Sequence, residues 1–212
     1  MTPKLACLPN GPYYLIHDPT PQIVPNLYRQ SGEACSTARG VALCRCGGSS
    51  RKPFCDGTHS RNGFKDTNTA DRSQNRRVAY GGKAITIYDN RAICAHAGIC
   101  TDNLKGVFRM REEPWIDPDG AAVKDIIATI ERCPSGALSY AINGNEAAPA
   151  ARPPKVVVTN DGPYAITGSV ELMGVQFGDG ASKEHYTLCR CGASANKPFC
   201  DGSHWRVEFK DH

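Results

Sequence analysis

A four-ligand pattern, written twice, constrains this chain more than any other feature in it. Cys44-Arg45-Cys46, eight further residues and Cys55-Asp56-Gly57-Thr58-His59 set a C-x-C-x8-C-x3-H spacing. The spacing returns unchanged in Cys189-Arg190-Cys191 and Cys200-Asp201-Gly202-Ser203-His204. Pro53-Phe54 and Pro198-Phe199 precede the third cysteine of each copy. Three thiolates and one imidazole form a four-ligand set, and soft sulfur selects zinc, copper(I) or iron–sulfur. Zinc sites usually draw their cysteines from C-x2-C or longer knuckles. A C-x-C pair instead points both thiolates to one side of an extended strand, which suits one iron of a flat two-iron cluster. A helical turn opened by Pro53 would put Cys55 and His59 on one face, for the second iron. The open helix N-terminus would then face an anionic cluster.

Both copies resemble the CDGSH iron–sulfur domain of mitoNEET type, C-x-C-x2-(S/T)-x3-P-x-C-D-G-(S/T)-H. Ser49 and Ser194 occupy the first S/T position, Thr58 and Ser203 the second. The resemblance implies two [2Fe-2S] clusters, one held by Cys44, Cys46, Cys55 and His59, the other by Cys189, Cys191, Cys200 and His204. It also implies a two-fold dimer fold with strands from both copies forming a β cap. A repeat this short buries too little surface alone. The two copies are therefore expected to pack together as an internal pseudo-dimer within a monomeric chain.

Eleven cysteines in 212 residues is a high count. No apolar leader follows Met1-Thr2-Pro3-Lys4, so the cysteines read as metal ligands in a cytoplasmic protein rather than as disulfides. No apolar run approaches the roughly 18 residues of a membrane span, a departure from the anchored eukaryotic mitoNEET pattern. Net charge is +4, and the nearest thing to a basic cluster is Arg72, Arg76 and Arg77. A nucleic-acid partner is not expected.

Between the copies the character changes. Residues 67–75 are a polar linker, and 145–155 an Ala/Pro-rich one. Residues 76–144 carry strand patterns at Val78-Ala79-Tyr80 and Ile85-Thr86-Ile87-Tyr88. Val123, Ile126, Ile127 and Ile130 have helical spacing, with Asp117 and Asp119 as candidate N-caps. Cys94-x5-Cys100 and a remote Cys133-Pro134 echo the ferredoxin run with its middle cysteine replaced by Ala97. This stretch resembles the divergent single-cluster ferredoxin-like domain. Three cysteines suit a [3Fe-4S] cluster; a [4Fe-4S] cluster needs a fourth ligand, for which His96 is the candidate. His96 otherwise reads as a donor to a cluster sulfur. Cys7, Cys35, His17, His185 and His212 have no partner at ligand spacing.

The fold class is thus α+β: residues 1–66 and 156–212 form two β-rich CDGSH units around a ferredoxin-like domain. No nucleophile–base pair, phosphate loop or flavin motif appears, so no enzymatic activity is expected. The expected role is electron transfer, or cluster transfer to a redox partner or an apo iron–sulfur acceptor; alternatives are a redox enzyme, a redox or pH sensor, and structural zinc binding. One histidine ligand per site places the CDGSH potentials between the roughly −400 mV of plant-type ferredoxins and the roughly −150 to +300 mV of Rieske centres. An imidazole ligand also makes the sites acid-labile, because free histidine titrates near pH ~6.5. Mild acid should therefore release iron faster from the native chain than from a His59→Cys, His204→Cys double variant.

Overall fold

The computed structural model describes residues 3–16, 26–37, 41–71, 73 and 75–211. The Pro-rich segment 17–25, with His17, and Arg72 and His212 lie outside the described residues. The first unit contributes β1 (Lys4–Cys7), β2 (Tyr13–Ile16), β3 (Asn26–Arg29) and β4 (Ala42–Leu43). The central segment holds β5 (Val78–Gly81), β6 (Thr86–Asp89), α1 (Ile99–Asn103), α2 (Val123–Glu131), β7 (Leu138–Ile142) and β8 (Asn145–Glu146). The second unit adds β9 (Lys155–Val158), β10 (Tyr164–Thr167), β11 (Glu171–Met173), β12 (Tyr186–Leu188) and the single turn α3 (Ser203–Arg206).

The two CDGSH units exchange strands. One sheet runs β11-β1-β2-β4 and the other β12-β10-β9-β3. In each, three antiparallel neighbours come from one unit and the outer parallel strand from the other: β11 on β1, β3 on β9. The strand faces alternate as β geometry requires, with Tyr13 and Leu15 of β2 and Tyr164 and Ile166 of β10 turned inward. The register brings Leu5 to Leu172 and Leu27 to Val156. A single core results, with six buried residues from the first unit and nine from the second. At roughly 1.5–3 kcal/mol per large apolar side chain, neither set alone offsets the chain entropy of its unit. The expected internal pseudo-dimer is therefore what the fold contains. Cys7 and Cys35 pack against this core as half-buried thiols.

The central segment has its own sheet, ordered β5-β6-β7-β8 and antiparallel throughout, and its own core around Ile85, Ile87, Phe108, Ile116, Ile126 and Ile130. The helix expected from the apolar spacing is α2. Its caps differ from expectation: Ala122 precedes it without a side-chain cap. Asp117 and Asp119 are taken by the preceding loop, where Asp117 accepts the Asp119 N–H and Asp119 accepts the Lys83 N–H. Among the described residues, no helix is long and apolar enough to cross a membrane.

Two local expectations change at the CDGSH loops. The strand entering the first loop is only Ala42–Leu43, because the Cys44 N–H turns to Pro53 O (2.7 Å). Pro53 and Pro198 follow cis peptide bonds and open no helix. The turn begins later, at Thr58 in the first copy and Ser203 in the second, each behind a glycine of positive φ.

Candidate metal centres

At the first CDGSH loop the candidate ligands stand in twos. Cys44 Sγ and Cys46 Sγ are 3.9 Å apart, and Cys55 Sγ and His59 Nδ1 are 3.4 Å apart. The second loop repeats this: Cys189 and Cys191 at 3.8 Å, Cys200 and His204 Nδ1 at 3.5 Å. A tetrahedral ion with metal–sulfur bonds of about 2.3 Å and metal–nitrogen bonds of about 2.0 Å has S···S edges near ~3.8 Å and S···N edges near ~3.5 Å. Each pair therefore matches two ligands on one metal. Among the described residues no three His, Cys, Asp or Glu side chains converge as ligands for a single ion. Two chelating pairs per loop fit a two-iron group better than a mononuclear ion.

The loop backbone supports anionic sulfur. Gly48 N–H donates to Cys46 Sγ, Gly57 N–H to Cys55 Sγ, Ala193 N–H to Cys191 Sγ and Gly202 N–H to Cys200 Sγ, all at 3.4–3.5 Å. Such donors stabilise thiolate and tune the potential of a bound cluster. Asp56 accepts from Ser50 N–H and Thr58 N–H. Asp201 accepts from Ala195 N–H and Ser203 N–H. Both aspartates thus tie the loop to the turn. The hydroxyls of the buried Ser49 and Ser194 donate to Phe54 O and Phe199 O. Burial pushes the Cys44 thiol up to about 11 and raises Cys200 further. The hydrogen bond shared by Cys189 and Cys191 pulls Cys191 down and, with burial, pushes Cys189 up. Burial lowers His204, favouring the neutral imidazole that a metal requires.

In the central segment, Cys94, Cys100 and Cys133 line one cavity of about 870 Å³. His96 is also at its wall, but its ring lies against Gly202 of the second CDGSH loop. Its backbone N–H donates to Cys94 Sγ (3.4 Å), so the donor role falls to the main chain. His185 is buried too, with Nδ1 at 2.9 Å from Glu184 and 3.0 Å from Ser182.

Residues 10–60 and 161–205 match the family described as iron-binding zinc finger CDGSH type. The intervening residues 80–143 match a divergent 4Fe-4S mono-cluster family. The chain carries two regions of the CDGSH iron-binding family. Its two CDGSH regions flank a mono-cluster domain, and together these mark it as an iron–sulfur protein. The uncharacterized protein YjdI of Escherichia coli K12 is 43% identical over 61 residues, 29% of this chain and 80% of the relative. YjdI of E. coli O157:H7 matches equally. No solved structure matches the chain.

Two pairs of residues around the CDGSH loops have roles that motif reading did not supply. Tyr13 Oη donates to Cys189 O and Pro198 O, and Tyr164 Oη to Cys44 O and Pro53 O. Each unit's tyrosine thus holds the other unit's loop, and the two rings meet edge to face at 5.9 Å. The signal was the Gly-Pro-Tyr repeat ahead of both motifs. Arg45 and Arg190, the x of each C-x-C, are 3% and 1% exposed. They lie over Tyr13 and Phe64, and over Tyr164 and Phe209, and pair with Asp66 and Asp211. Their signal was the recurring Phe-Lys-Asp after each motif. Tyr13→Phe keeps the ring but removes the donor to two carbonyls. It should cost about 1–3 kcal/mol and lower the unfolding midpoint in denaturant; Tyr164→Phe should match it. Unchanged midpoints would contradict the crossed anchoring.

Asp89 closes the cavity beside the three cysteines. Both its oxygens are buried without a hydrogen-bond partner, and Arg91 Nε stands 3.9 Å away. Burial pushes its pKa up to about 6, against the lowering by the Arg91 charge. The unfolded value is about 3.9, so between those values the folded chain binds more proton than the unfolded chain. Stability from this group is therefore lost as pH rises from about 4 to 6. Asp89→Asn should remove that fall and gain about 2–3 kcal/mol at pH 7, with less gain below pH ~4, as read by thermal melts at both values.

Proposed function

We propose that this chain is a non-enzymatic cytoplasmic iron–sulfur carrier that serves electron transfer or cluster transfer. On this reading Cys44, Cys46, Cys55 and His59 hold one [2Fe-2S] cluster, and Cys189, Cys191, Cys200 and His204 another. Cys94, Cys100 and Cys133 hold a [3Fe-4S] cluster in the central cavity. The observation that carries the reading is the paired spacing in both loops, S···S at 3.8–3.9 Å beside S···N at 3.4–3.5 Å. When bound, such clusters supply one-electron redox chemistry. The chain's own groups set the conditions: backbone N–H donors on the sulfurs, a histidine nitrogen on one side of each site, and a shared core that fixes both loops.

In the central site the family match favours a second reading, because its description names a 4Fe-4S cluster. That reading requires a fourth ligand from the cavity wall other than cysteine. Metal and acid-labile sulfide analysis of anaerobically purified protein tests both readings. About seven irons and eight sulfides per chain fit the first, and about eight of each fit the second. Electron paramagnetic resonance of the oxidised protein discriminates further, since a three-iron cluster is paramagnetic as isolated and an oxidised four-iron cluster is silent. Zinc with negligible sulfide would overturn the proposal.

A further inference from the structure

The two CDGSH loops share ligands, spacing and hydrogen bonds, yet their surroundings differ. Cys200 and His204 are 3% and 5% exposed, whereas Cys55 and His59 are only half-buried. A Cβ built on Gly57 meets nothing within 4 Å; one on Gly202 meets the His96 ring at 2.6 Å. The central domain is the cause. Asn196 Nδ2 donates to Ala92 O (2.8 Å) and Trp205 Nε1 to His96 O (3.1 Å). The 67–71 segment adds to the cover, with Thr69 and Ala70 N–H on Ala195 O and Asn68 Nδ2 on Lys197 O.

Two differences between the copies correspond to this docking. Asn196 stands where the first copy has Arg51, and Trp205 where it has Ser60. Arg51 offers no amide to Ala92, and Ser60 turns its hydroxyl back to Gly57 O. Around the first site Arg51, Arg61 and Lys65 are exposed, while the nearby Asp56 carboxylate is occupied by Ser50 and Thr58.

We propose that the two sites divide the work: the first is the exchange site, facing an acidic protein partner, and the second is a resident site sealed by the central domain. The proposal rests on the iron–sulfur reading above and deepens it. In the exchange, bonds from the cluster to Cys44, Cys46, Cys55 and His59 are replaced by bonds to four cysteine thiols of an apo-acceptor. The acceptor loses four thiol protons; three go to the departing thiolates and one to solvent, and no net electron moves. The Arg51, Arg61 and Lys65 rim attracts an acidic acceptor by complementary charge.

The test uses the purified holo-protein, first with a ferrous chelator under reducing conditions, then with an acidic apo-ferredoxin. Visible spectra should show two phases of equal amplitude for the CDGSH clusters. Their rates should differ by about ten-fold or more, the factor that roughly 1.4 kcal/mol of barrier provides. His59→Cys should slow the fast phase alone. Trp205→Ala should accelerate the slow phase, and Arg51→Glu with Arg61→Glu should slow transfer to the apo-ferredoxin while leaving chelator release unchanged. One shared rate, or a fast phase indifferent to His59→Cys, overturns the division of work with the iron–sulfur reading intact. Protein lacking iron and sulfide overturns both.

Discussion

Gly192→Ala is expected to disrupt the pairing of the CDGSH units and to lower stability by about 2–5 kcal/mol, the sum of left-handed backbone strain and overpacking. Gly192 has φ +79, and a Cβ there would sit 2.6 Å from Cys46 O. Gly47 mirrors it, with φ +77 and a Cβ 2.5 Å from Cys191 O. Cys46 and Cys191 bridge the units at this point, so neither backbone can retreat without moving a candidate ligand. The glycine after each C-x-C, doubled in the first copy as Gly47-Gly48, invites a reading as room for the metal. At Gly47 and Gly192 the close approach is instead between the two units. Gly32→Ala is the control: its φ is +90, but nothing lies within 4 Å of a built Cβ. It should cost only the backbone strain of about 1–2 kcal/mol. Denaturant melts that give equal losses at Gly32 and Gly192 would remove the inter-unit contact from the explanation.

Arg190→Ala should cost about 3–5 kcal/mol, the range for removing one partner of a buried ion pair. Arg190 Nε donates to Gly162 O and Nη2 to Thr159 O, both at 2.8 Å, and Nη1 pairs with Asp211. Its removal frees the backbone on which Tyr164 reaches across to Cys44 and Pro53, so iron retention in the first loop should fall as well. Arg190→Lys restores charge but not the planar fork and should rescue only part of the loss. Arg45→Ala should be milder. Its bonds to Leu8 O and Asp66 are longer, 3.3 Å each, and its Nε has no partner. Equal melts for the Arg45 and Arg190 variants would show that these hydrogen bonds carry little of the effect.

Much of the fold was legible because it repeats. The β2 and β10 strands follow from alternation after Gly-Pro-Tyr, α2 from Val123, Ile126, Ile127 and Ile130, and the doubled motif from identical spacing. The exchange of β3 and β11 between units was not legible. A strand of three or four residues states which face is apolar, not whose edge it joins, and parallel pairing over long separation leaves no local mark. Cap residues misled for a related reason: Asp117 and Asp119 have the chemistry of N-caps, but loop N–H groups reached them first.

By itself the sequence determined the donor set, since only the chain can place three thiols and an imidazole at a given spacing, and this twice. It also determined that neither unit has core enough to stand alone. Tertiary structure decided which tyrosine supports which loop and which glycine admits which neighbour. It also decided that one of two matching sites is covered while the other stays half-buried. Those outcomes depend on contacts between residues more than a hundred positions apart, and local periodicity carries no information about them.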